Sequence, residues 1–171
     1  MYYGKNSEKD WESVIANASA LTHAHERSKL ACKIYTRMLF ALLEGEGKAG
    51  VLSALELAAG KYIESPEISA YSRLFEKDFA KLSEKKIKST GYVVDTLEAA
   101  VWCLLTTDSY SECVLKAVNL GGDTDTVAAV AGGLAGVLYG YDAIPAEWRD
   151  TLIKRDYIEE MCERMARTLG V

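Results

Sequence analysis

A chain of 171 residues, 49% of them hydrophobic, has enough apolar material for a substantial core and reads as globular rather than disordered. Its formal charge of −5 and pI near 5.2 exclude a general binder of nucleic acid or of membrane surfaces, because both tasks need a basic face. No basic-then-apolar leader opens the sequence, and its most apolar stretch, 127–139, is too short to cross a bilayer and holds three glycines.

The pattern along the chain is helical almost throughout. Ser7 and Asp10 form a capping-box pair, after which Trp11, Val14, Ile15 and Ala18 recur at spacings of three and four. A longer helix is expected from about His25 to Leu43, with Leu30, Ala31, Ile34, Tyr35, Met38, Leu39 and Leu42 on one side and Gly45 and Gly47 at its end. The next runs from about Ala49 to Ala59 and is closed by Gly60. Ser65-Pro66-Glu67 then reads as a cap with proline at the first helical position, opening a helix toward Phe79.

KLSEKKIKS, 81–89, is polar and expected to be a solvated end and loop. Beyond Thr90-Gly91, YVVDTLEAAVWCLLTT predicts an apolar helix, and Ser109 to Asn119 predicts a short one. GGDTDT then interrupts before a glycine-rich helix, and Ile144-Pro145 with Trp148 leads into a final amphipathic helix through Ile158, Met161, Met165 and Leu169. No run alternates with period two for long enough to be a strand. The expected fold is all-α, a compact orthogonal bundle of about seven to nine helices in one domain, 1–171. Cys32, Cys103, Cys113 and Cys162 are scattered without a CxxC pair, which argues against zinc or a redox dithiol and for reduced thiols in a cytoplasmic protein.

Two readings fit GGDTDT. In the simpler one, Gly121 and Gly122 reverse the chain, Asp123 caps the next helix, and Asp125 sits in its first turn, where the helix dipole favours an acid. That reading leaves Thr126 without a task. In the other, Asp123, Asp125 and Thr126 present oxygens to a hard cation such as Mg²⁺, Mn²⁺ or Ca²⁺. At about 100° per residue Asp123 and Thr126 share a helix face, but Asp125 diverges from Asp123 unless Asp123 stands at a non-helical cap.

Such an ion takes about six oxygens, and the motif supplies about three. Asp95 and Glu98 are further candidates, though an early-turn acid and an exposed one would look the same. The three glycines of AVAGGLAGVLYG, at 132, 133 and 136, predict that another backbone passes close by. His23 and His25 are two apart and fall on different sides of a helix, unlike a helical metal pair. Tyr92 reads as a core aromatic or as a ring for stacking on a base. No phosphate loop, dinucleotide fingerprint or nucleophile elbow is present.

LGGDTDTVAAVAGGLAGVLYG followed by IPAEW, with LTHAHERS and STGYVVDTLEAAVW upstream in that order, resembles the ADP-ribosylglycohydrolase family. The resemblance implies an all-α fold with a cleft that holds ADP-ribose beside two Mg²⁺ (or Mn²⁺) ions. Asp123, Asp125 and Thr126 would be metal ligands, and His23, Tyr92 and Gly122 would lie against ADP-ribose. The implied reaction is hydrolysis at the anomeric carbon of the ribose, releasing ADP-ribose from a modified protein side chain or a small compound; no catalytic residue is assigned.

The family's N-terminal half, with a glycine-rich acidic opening and a threonine–aspartate–aspartate motif carrying the other ligands, has no counterpart before LTHAHERS. The chain is therefore expected to be a truncated or half-length member, weak or inactive alone. A homodimer or a partner chain would complete the cleft. Two alternatives stand beside it: a degenerate, non-catalytic binder of ADP-ribose, and an all-α interaction protein in which GGDTDT is only a capped corner.

Overall fold

Each long apolar run of the sequence forms a helix in the computed structural model, which describes residues 8–170. The helices are α1 (Glu8–Ala20), α2 (Glu26–Leu43), α3 (Gly47–Lys61), α4 (Val93–Leu105), α5 (Tyr110–Asn119), α6 (Thr124–Tyr139), α7 (Ala146–Asp150) and α8 (Arg155–Leu169). Short 3-10 helices fill Ile68–Phe75, Phe79–Lys81, Glu84–Lys86 and Tyr141–Ala143. The described residues contain no strand, as the missing period-two pattern requires. The expected capping pair of Ser7 and Asp10 falls outside what is described.

The most apolar helix lies at the centre. In α4 every residue except Val93, Asp95 and Leu105 is buried. It packs against α5 and α6, which pair closely with each other, while α2 joins this group to α3 and α1. Ile34, Met38, Val51, Val101, Leu104, Val127 and Leu134 form one continuous core across these elements. Burying each such side chain stabilises the fold by roughly 1.5–3 kcal/mol.

Starts and ends follow local chemistry. His25 caps α2, with its Nδ1 accepting from the Arg27 amide at 3.1 Å. Ser109 caps α5 through the Glu112 amide, and the Glu112 carboxylate accepts in turn from the Asp108 amide. Three expectations need correction. Gly60 lies inside α3, which runs on to Lys61. The segment after Pro66 is a 3-10 helix over Ile68–Phe75, with Tyr71 and Leu74 buried. The lysine-rich 81–89 run is only partly solvated, since Ile87 and Ser89 are buried.

The glycines of α6 admit side chains and not a backbone. A Cβ at Gly132 would meet Tyr110 and Val114 at 3.5 Å, and one at Gly136 would meet Tyr110 at 3.9 Å. At Gly133 it would run into the hydroxyl of Tyr35, which donates to the Val130 carbonyl at 3.1 Å. The outer helices are covered less completely. In α1, Trp11 is buried and stacks edge-on against Phe40, but Val14 and Ile15 are half-buried and Ala18 is exposed. No residue of α8 is buried, although its apolar positions follow the predicted stripe.

Polar contacts tie α1 to the bundle. Buried Arg37 donates to the Glu12 carboxylate at 2.7 Å and to the Tyr62 hydroxyl at 2.9 Å, and Tyr62 donates to Glu12 at 2.8 Å. Burial pushes the Glu12 carboxyl up, but the bonds from Tyr62, Arg37 and Lys61 outweigh it and hold the group below its usual range. A carboxyl with a depressed folded-state pKa contributes stability above its unfolded value, lost as pH falls through the folded one. Acid unfolding of Glu12→Gln should therefore show a shallower loss of stability below pH about 4.5 than the parent chain. In α6, Gly136→Ala should raise stability by up to about 1 kcal/mol, a gain of a few degrees in Tm. Gly133→Ala should gain less, because the Tyr35 hydroxyl must give up its carbonyl.

Candidate functional site

Between α5 and α6 the chain reverses through two glycines with positive φ, +77° at Gly121 and +67° at Gly122. Open space surrounds the position a Cβ would take at Gly121, so only its dihedral calls for glycine. Gly122 has a second reason: a Cβ there would collide with the backbone carbonyl of Ser89. The close approach lets the Asp123 amide donate to that carbonyl at 2.9 Å. The residues before α4 and the residues before α6, far apart in sequence, are thereby locked side by side.

Asp123 takes the cap position of α6 with non-helical dihedrals, φ −88° and ψ 66°. Its carboxylate does not cap. It makes no hydrogen bond to the helix amides; its Oδ1 accepts from the Thr126 hydroxyl at 2.9 Å. The expectation that Asp123 serves as an ordinary capping side chain is thus replaced by an oxygen pair across one turn. Its other oxygen, Oδ2, lies where a Cβ at Gly91 would stand only 2.8 Å away, so the bare α-carbon of Gly91 makes room for it.

Asp125 is exposed in the first turn of α6. Its carboxyl is held below the usual range by the neighbouring Asp123 side chain and by the backbone amides of Thr126 and Asp125 itself. The non-helical cap dihedrals of Asp123 free its side chain from the helical spacing that alone would turn it away from Asp125. Thr126 completes a set of hard oxygen donors on one short stretch of chain, and these are donors that suit Mg²⁺ or Mn²⁺.

The beginning of α4 forms the facing wall. Thr90 accepts from the Tyr92 amide at 3.2 Å and donates to Asp95 Oδ2 at 2.7 Å, and Thr96 donates to the Thr90 carbonyl at 3.0 Å. Asp95 is thus engaged as a first-turn acid. Glu98 is neither exposed nor directed to the acidic turn. It is buried, 3.1 Å from Arg73, and burial pushes its carboxyl up against the pull of that guanidinium. Among the described residues no three His, Cys, Asp or Glu side chains gather as a metal-holding group. The acidic turn stands by itself.

Tyr92 is exposed and so is not a core aromatic. Its hydroxyl accepts from Arg27 Nη1 at 2.6 Å, and Arg27 is fixed in turn by Glu67, whose Oε2 accepts from Nε at 2.6 Å. His23 is exposed in the turn between α1 and α2, with Nδ1 2.9 Å from the Thr22 hydroxyl. His25 is the cap of α2, the packing role its spacing allowed.

Sequence reasoning missed Arg27, Gly91 and Ser89. Ser89 is buried, and its hydroxyl has no hydrogen-bond partner among the described residues. Three neighbouring lysines make it look solvated in the sequence, and only a long-range carbonyl contact distinguishes it.

The family model for ADP-ribosylglycohydrolase matches residues 1–170. Over 156 residues the chain is 33% identical to the ADP-ribosylarginine hydrolase Tri1 of Serratia proteamaculans, covering 86% of this chain and 38% of that protein. Over 143 residues it is 32% identical to the ADP-ribosyl-[dinitrogen reductase] glycohydrolase of Rhodospirillum rubrum, covering 84% and 44%. Among solved structures it is similar to a chain described as an ADP-ribosylglycohydrolase-related protein complex, with a TM-score of 0.71 and 32% identity over 90% of this chain and 52% of that one. The chain therefore spans less than half the length of these two curated relatives and about half of the solved one.

The two glycines of the turn separate in their expected cost. Gly121→Ala should lose about 1–2 kcal/mol, the strain of a left-handed residue in open space. Gly122→Ala adds the collision with Ser89 and should lose well over 2 kcal/mol, read as the difference in urea midpoint between the variants.

Proposed function

Because the chain belongs to the ADP-ribosylglycohydrolase family, we propose that it supplies the GGDTDT half of a Mg²⁺- (or Mn²⁺-) dependent hydrolase. That hydrolase releases ADP-ribose from a modified protein side chain or a small ADP-ribose compound. The observation that carries this reading is the Asp123–Thr126 oxygen pair, held at 2.9 Å by a carboxylate that declines its capping role. A helix cap alone needs neither the hydroxyl nor the cleared space at Gly91.

Asp123, Asp125 and Thr126 would hold the ion. A divalent ion there supplies charge stabilisation and an activated water at the ribose. The chain's own residues do the binding and orienting. Arg27 fixes the exposed Tyr92, which with His23 would lie against the ADP-ribose. The positive-φ turn at Gly121 and Gly122 keeps the backbone bare of side chains where the ligand would approach. Three oxygens leave about half of the usual shell to water, substrate or another polypeptide. The chain alone is therefore weakly active or inactive, and the cytoplasm is the location that its unpaired cysteines support.

The lack of a third acid beside Asp123 and Asp125 among the described residues also favours a second reading, a binder of ADP-ribose without hydrolysis.

Titrating Mg²⁺ into the chain should raise Tm with weak apparent affinity, and Asp123→Asn with Asp125→Asn should abolish the rise. Equal shifts in parent and variant would remove the metal assignment. Release of ADP-ribose from an ADP-ribosylated arginine peptide, measured with the chain mixed with the part of the Serratia hydrolase that it does not span, separates the two functional readings: the hydrolase half should give Mg²⁺-dependent turnover, and the binder none.

A further inference from the structure

The helix α8 carries an apolar stripe that the described residues do not cover. Tyr157 and Ile158 reach Met161 at spacings of four and three, and Met161 reaches Met165 at four, so all four share one face. Each is between 42% and 61% exposed, and no residue of α8 is buried. Just before the helix, exposed Leu152 and Ile153 extend the same kind of surface. Four large apolar side chains in one exposed row mark an interaction surface, where scattered single ones would not.

The charges of α8 say what fits the stripe. Its first nine residues hold Asp156, Glu159, Glu160 and Glu163 against Arg155 alone, whereas its last six hold Arg164 and Arg167 and no acid. A second α8 laid antiparallel sets the acidic half of each helix beside the basic half of the other and opposes the two helix dipoles. A parallel one sets like charge against like. The helix is thus complementary to itself under a two-fold axis, which is what a contact between identical chains requires.

The rest of the fold holds α8 where such a contact can form. Tyr141 donates to Glu159 Oε1 at 2.6 Å, and Arg155 donates to Asp150 at 2.6 Å and to Glu159 at 2.7 Å. These bonds fix the beginning of the helix and engage none of the four apolar residues. Tyr141 follows the C-terminal end of α6, about 24 Å along that helix from the acidic turn at its start.

We propose that two copies of this chain pair through α8, antiparallel, with Ile158, Met161 and Met165 of each packed against the same stripe of the other. At 15 residues α8 is about 22 Å long, so the contact is small and the dimer weak, with a Kd of about 10 μM. The pairing is independent of the hydrolase reading and leaves the acidic turn as it is.

Sedimentation velocity between about 1 and about 100 μM chain tests the contact. The parent should pass from monomer to dimer over that range. Met161→Glu with Met165→Glu, two exposed positions, should remain monomeric throughout and keep the melting midpoint measured at about 1 μM within about 2 °C. Orientation is read in a Cys32→Ala, Cys162→Ser background, where the remaining thiols, Cys103 and Cys113, are buried. In it, chains carrying Tyr157→Cys and chains carrying Thr168→Cys are mixed and treated with a short bismaleimide. Antiparallel helices should link the two kinds of chain to each other at least about five times more than either to itself. A parent that stays monomeric at 100 μM, a dimer that persists in the double methionine variant, or cross-links mainly between like chains would overturn the proposal.

Discussion

The amide of Asp123 rests 2.9 Å from the carbonyl of Ser89, and everything proposed for the chemistry of this molecule follows from that approach. It requires Gly122, whose missing Cβ is the space the carbonyl occupies. It places Asp123 at a cap with non-helical dihedrals, which turns its carboxylate away from the helix amides and toward Thr126. Beside it the bare Gly91 leaves room for the second carboxylate oxygen. A side chain at Gly122 would collide with that carbonyl.

The acids around the turn are held in different ways. Glu98 is buried beside Arg73, and Asp95 is held by Thr90, so the buried or half-buried acids of α4 each have a partner. Asp123 accepts from the Thr126 hydroxyl, and the first-turn amides join the Asp123 side chain in holding the Asp125 carboxyl below its usual range. On the adjacent face an apolar groove is lined by Ile15, Ala129 and Val130, the last two one turn along α6 from Asp125 and Thr126.

Much of this was legible in the sequence because helices announce themselves through spacing. The strong apolar period of α2 placed its buried face correctly, and glycine pairs marked the reversals. What the sequence concealed depended on contacts between distant segments. Nothing about Arg27 in isolation indicates that it reaches Tyr92, sixty-five positions away. Ser89 follows a lysine-rich run whose charge suggests solvent, whereas its carbonyl supports the site. The glycines of α6 were read as room for a backbone, but the neighbours turned out to be tyrosines, which also need small residues opposite them. The 3-10 segment after Pro66 was missed because a buried pair three apart satisfies both helix types until the surrounding core chooses one.

The placement of sulfur separates a protected interior from a sacrificial exterior. Cys103 is fully buried, and burial pushes its thiol up to about 12, so it offers almost no thiolate at physiological pH. Met38 is equally enclosed. Met161, Met165 and Cys162 all sit exposed on α8, a helix with no buried residue of its own. Oxidants in solution meet this terminal helix first. A sulfoxide or sulfenic acid formed there adds polarity where nothing from the same chain is packed, so oxidative damage to the chain can accumulate on α8 while the core around α4 stays intact.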